Sequence, residues 1–78
     1  MFFSNKEKEF KAAKVFADKG DVEMQYKIGM MYKNGEGTNV DLNKAIFYLE
    51  KSSKGGYWKA QQAIDLIKRE KLDSIKNS

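Results

Sequence analysis

Slid along itself, the chain superimposes Lys8 on Lys44, Phe10 on Ile46, Gly20 on Gly56, Gln25 on Gln61 and Ile28 on Ile64. A period of this size has room for two helices. It marks a solenoid, in which stacked hairpins bury faces that one hairpin cannot bury alone. The 78 residues hold little more than two such units in one domain, where solenoids usually need about three. A chain this short buries only about 60% of the surface its unfolded form exposes. The core is therefore expected to be completed by a C-terminal extension, a homodimer contact or a partner.

Four helices are expected, roughly at 5–19, 21–34, 41–54 and 57–76, giving an all-α fold of antiparallel hairpins. The first opens on a capping box, Ser4 with Glu7, and carries Phe10, Ala13 and Ala17 at helical spacing, flanked by Ala12 and Phe16. Gly20 suits the left-handed residue that closes a helix, and Asp21 suits the cap that opens the next. Met24, Ile28, Met31 and Tyr32 form the second apolar face, with Gly29 as a notch for a neighbouring helix. Asp41 caps the third helix, with a stripe of Leu42, Ala45, Ile46 and Leu49. Gly55 and Gly56 end it, and Ala60, Ala63, Ile64 and Ile67 face inward from the fourth. Leu72 and Ile75 are expected to extend that face into the tail.

The composition excludes most chemistry. There is no Cys and no His, which removes disulfides, thiolate and imidazole metal sites, and the commonest general base. The carboxylates are scattered among lysines, with no pair set apart on an apolar face. No enzyme activity, cofactor, metal or small-molecule substrate is expected. No apolar run has the length of a membrane span, and Phe2 and Phe3 are too few for a signal peptide core. A cytoplasmic location is the default expectation. Lys and Arg number 15 against 11 Asp and Glu, and the whole excess of +4 lies after residue 50.

The segment YKNGEGTNVDLNKA, residues 32–45, joins two glycines to polar residues. As a phosphate loop it lacks a preceding strand and the closing Lys-Ser or Lys-Thr. As a calcium loop it lacks alternating acids and the closing Glu. It reads as the turn between two helices, with Gly35 ending one and Gly37 needing permissive backbone angles.

With this turn placed, residues 20–56 closely resemble one unit of the Sel-1-like repeats, relatives of the tetratricopeptide repeats. The signature stands here as Ile28-Gly29, Tyr32, Gly35-x-Gly37, Asp41 and Lys44-Ala45. Half-units on either side extend the likeness to most of residues 8–67. The departures are Ile64-Asp65 in place of Leu-Gly, Ser52-Ser53 in place of Ala-Ala, and Thr38 where the family often has Val. Helix four therefore reads as a terminal cap. The resemblance implies a protein-binding adaptor or regulator whose concave surface is lined by helices two and four.

The candidate contact positions off the apolar stripes are Glu23, Tyr26, Lys27, Met30 and Lys33 on helix two. On helix four they are Lys59, Gln62, Leu66 and Arg69. Tyr57 and Trp58, flanked by lysines, complete the set as aromatic anchors. By the repeat Trp58 falls on Val22, a position either packed under the hairpin or offered to a partner. Tyr57 falls on the cap Asp21 and is expected to be exposed. Met30 and Leu66 are open to either reading, core or sticky stripe. The basic rim suits a protein partner with acidic edges. Alternatives are a dedicated inhibitor, such as an immunity protein against a toxin, and a nucleic-acid accessory role for the basic last third. Asp65, Glu70 and Asp73 interrupt that basic patch and argue against nucleic acid.

Overall fold

Each hairpin turn is closed by glycine in a conformation that side chains resist. The computed structural model describes residues 5–76, with side chains through Ser74. Four helices follow one another, α1 (Asn5–Asp18), α2 (Val22–Asn34), α3 (Leu42–Lys54) and α4 (Trp58–Lys76), and no strand occurs among the described residues. Gly20 and Gly56 have φ of 105° and 98°. Around Gly20 its amide donates to Ala17 O and that of Asp21 to Phe16 O. One period later Gly56 donates to Ser53 O and Tyr57 to Ser52 O. The two turns are the same paired C-terminal cap, satisfying helix-end carbonyls identically.

Asp21 and Asp41 open α2 and α3 by accepting from the amides of Met24 and Lys44, both at 3.0 Å. Between α2 and α3, Gly35 has φ 71° and Gly37 φ 73°. A Cβ on Gly37 would strike the carbonyl oxygen of Lys6 and lie 3.0 Å from Phe10 Cβ. Residues 35–41 therefore form the turn, with Gly37 pressed against α1 and Gly35 against Val40 of the turn itself.

The core runs along the stacked helices. Ala13 and Ala17 of α1, Ile28, Met31 and Tyr32 of α2, Ala45, Tyr48 and Leu49 of α3, and Ala60, Ala63, Ile64 and Ile67 of α4 are buried. Gly29 is the expected notch. A Cβ there would lie 2.6 Å from Leu49 Cγ and 3.1 Å from Ala45 O. Small residues at this crossing let α2 and α3 approach closely.

Three expectations change. The α1 stripe is the expected Phe10, Ala13 and Ala17, but Phe16 at its flank stands 54% exposed and adds nothing to the core. Tyr48, absent from the expected α3 stripe, is buried and stacks on Tyr32 at 5.9 Å. Leu72 is 57% exposed, so the tail does not extend the inward face, since α4 outruns α3 after Ile67. Through Ser74 the C-terminal extension therefore adds no buried side chain to the core. The Ser4 end of the capping box, Phe2, Phe3 and the side chain of Ile75 lie outside the described residues.

Candidate protein-binding groove

α2 and α4 are one period apart and lie side by side, so their off-stripe positions meet along one surface. Tyr26 and Met30 form one wall. Trp58, Lys59, Gln62 and Leu66 form the other, with Ala63 at the floor, around a groove of about 340 Å³. A second depression, about 500 Å³, continues from the same Tyr26 and Met30 toward α1, lined also by Glu23, Lys27 and Tyr57. Lys33 and Arg69 line neither.

The apolar content is uneven. Trp58 is 65% exposed and Leu66 44% exposed, whereas Tyr26, Met30 and Tyr57 are half-buried. Tyr57 packs its ring on Tyr26 at 5.2 Å. This reverses the expected order of the two aromatics: Tyr57 is the packed one and Trp58 the open one. Val22, the repeat equivalent of Trp58, is covered because it presses on Gly55 of the next turn. No such turn follows α4 among the described residues, so the indole stands in solvent. Covering it removes on the order of 150 Å² from water, about 4 kcal/mol before the costs of association.

The charges are less basic than the sequence alone suggests. Lys27 Nζ lies 3.4 Å from Glu9. Lys33 Nζ lies 3.8 Å from Glu70, with its side chain only 16% exposed. Both are partly neutralised, so the expected rim shrinks to Lys59 and Arg69, which have no carboxylate partner among the described residues. Lys59 Nζ instead sits 5.6 Å from the centre of the Trp58 ring. That contact holds the ammonium beside the indole and contributes about 0.5–1 kcal/mol.

Side chains that hold the groove's walls were not all legible. Ser52 is fully buried and its Oγ donates to Val22 O at 2.7 Å, tying α3 to the first turn of α2. Ser53 Oγ donates to Gln61 at 3.3 Å, and Gln61 to Asp65 at 3.0 Å. Gln25, one period before Gln61, donates to Ala17 O at 3.1 Å from a buried position. The pairs 17 with 25 and 53 with 61 are thus the same link made with different atoms. The departure from Ala-Ala is what supplies two of these bonds.

The Sel1 repeat family model matches residues 22–57, from the first residue of α2 to the turn before α4. The chain carries a Sel1 repeat. No curated protein and no solved structure matches it. The Sel1 unit is the α2–α3 hairpin with the Gly35–Gly37 turn, and α1 and α4 flank it as a half-unit each. Sel1 repeats generally mediate contacts between proteins and are typically non-catalytic. No described helix of the chain is long and apolar enough to cross a membrane.

Proposed function

We propose that this Sel1 chain is a non-catalytic adaptor or regulator that binds one protein through the α2/α4 groove. The observation that carries the reading is Trp58, a large indole left two-thirds exposed at the mouth of a groove lined also by Tyr26, Met30, Ala63 and Leu66, with Lys59 and Gln62 as its polar members. Aromatic anchors of this kind dominate protein interfaces. The partner offers an apolar side chain to Trp58, Met30 and Leu66, and a carboxylate to Lys59 or Arg69.

The test is affinity capture from native lysate with the full chain, beside a Trp58→Ser, Leu66→Gln variant whose helicity is verified. Both positions are exposed, so the fold should survive. One dominant protein captured by the parent and lost by the variant supports the reading. An equal catch sinks the choice of surface. Capture of nucleic acid alone, released steeply by salt, would move the function to the basic last third. A partner that loses its own activity when bound would make the role inhibition rather than assembly.

A further inference from the structure

The joint between α2 and α3 depends on four local fits. Gly29 leaves room for Leu49 and lies against the Ala45 carbonyl. Ser52 Oγ donates to Val22 O. Gly55 admits a methyl of Val22 that any Cβ would strike. The Lys44 ammonium lies over the Tyr32 ring at 5.7 Å. A second copy stacked head to tail would set α4 of one molecule against α1 of the next in this same joint, because α4 is one period after α2 and α1 one period before α3.

Every one of the four fits fails there. Asp65 stands in the place of Gly29, facing Ala13 and Glu9. Ala13 is small enough to admit it, so the obstacle is a carboxylate pressed against a carbonyl and another acid. Phe16 replaces the donor Ser52. Lys19 replaces Gly55 while the larger Trp58 replaces Val22. Lys68 would meet Lys8 in place of the ring and its cation.

The α1 side is altered in the same sense. Ala45, Ala60 and Ala63 are small and buried, but their counterparts one period earlier are Glu9, Met24 and Lys27. Glu9 and Lys27 pair at 3.4 Å, and Lys6 adds contacts to Glu9 at 3.8 Å and Glu36 at 3.9 Å. An ion-paired cluster fills the place a stacking helix would need.

We infer that both end faces are built as stops, so that this chain does not polymerise end to end on copies of itself and acts as a discrete unit approached from the side. The stakes are specific to this architecture, since a heterologous joint that repeats without closing makes an open filament.

Sedimentation equilibrium of the full chain over a wide concentration range tests it, at low and moderate salt. The mass is expected to stop at one copy, or at two through some other face. A mass that keeps climbing with concentration overturns the inference, and this reading needs no variant. A second arm rebuilds the joint with Asp65→Gly, Phe16→Ser, Lys19→Gly, Lys68→Tyr and Trp58→Val, and removes the ion-paired cluster with Glu9→Ala and Lys27→Ala, the residues found one period later at Ala45 and Ala63. If this variant remains helical, its mass is expected to rise through several copies. A helical variant that keeps the parent's mass would overturn the assignment of the stop to these residues.

Discussion

Gly29 shows how one residue's effect is decided by its surroundings rather than by propensity. On an isolated helix Gly29→Ala would gain about 1 kcal/mol. Here the added carbon would lie 2.6 Å from Leu49 Cγ, and overpacking of this kind costs roughly 1–3 kcal/mol. We expect a net loss of stability in thermal unfolding; a raised melting temperature would show that α3 yields freely. Asp18 is a second such residue. It accepts from Lys14 Nζ and from the Tyr48 hydroxyl, both at 2.9 Å. The hydrogen bond from Lys14, then that from Tyr48, holds its carboxyl below the usual carboxylate range. A depressed folded pKa adds stability that is complete above the unfolded value of about 3.9 and is lost as pH falls through the lower folded value. Both charged partners are well exposed, so the acid effect is small. Tyr48→Phe is expected to cost about 1 kcal/mol at neutral pH through the lost bond and to weaken that acid dependence; an unchanged unfolding curve at both pH values would refute it. Residue-scale legibility was partial for a physical reason. The notch at Gly29 and the caps Asp21 and Asp41 announce themselves by residue type. Tyr48 did not, because its i, i+3, i+7 companions Ala45 and Ser52 include a serine, which conceals a second buried stripe on α3.

Among elements, α4 is the one whose two halves differ. Its first part, through Ile67, alternates buried and exposed positions as a packed helix should, while Lys68 through Ser74 are all exposed. The 19 residues make a helix about 28 Å long, longer than the 13-residue α2 and α3 it leans on. The sequence suggested continuity because Leu72 and Ile75 fall on the same helical face as Ile64 and Ile67. Periodicity alone reports which side a residue faces and not whether anything stands opposite. Deleting residues beyond Arg69 removes the Lys33 to Glu70 pair, whose Glu70 side chain is 60% exposed, and no buried apolar side chain among those described. The loss in urea unfolding is expected to be no more than about 1 kcal/mol. A collapse of the transition would mean that the tail packs after all. The turns carry the opposite lesson: Gly20, Gly35, Gly37 and Gly56 were readable because positive φ leaves few alternatives to glycine.

At the scale of the whole molecule, the fold is a slab 15 Å thick in its smallest dimension, with its apolar side chains divided between two duties. Ile28, Leu49 and Ile67 are fully buried and hold the helices together. Trp58 and Leu66 are open and hold nothing among the described residues as firmly. The repeat register made the first group legible, since buried positions recur one period apart. It left Trp58 open between core and surface because a register transfers burial only when the covering element also recurs, and Val22 has Gly55 against it while Trp58 has no such cover among the described residues. Core and surface should therefore respond separately to mutation. Leu49→Ala is expected to cost about 2–5 kcal/mol, a large part of the stability of a domain this small, and so to lose helicity near physiological temperature. Trp58→Ala should leave the unfolding midpoint within about 0.5 kcal/mol of the parent while removing the proposed anchor. Circular dichroism melts run beside partner capture separate the two: a Trp58→Ala protein that unfolds as readily as Leu49→Ala would place the indole in the core. The groove would then have lost its principal contact, and with it the reason to seek a protein on that face.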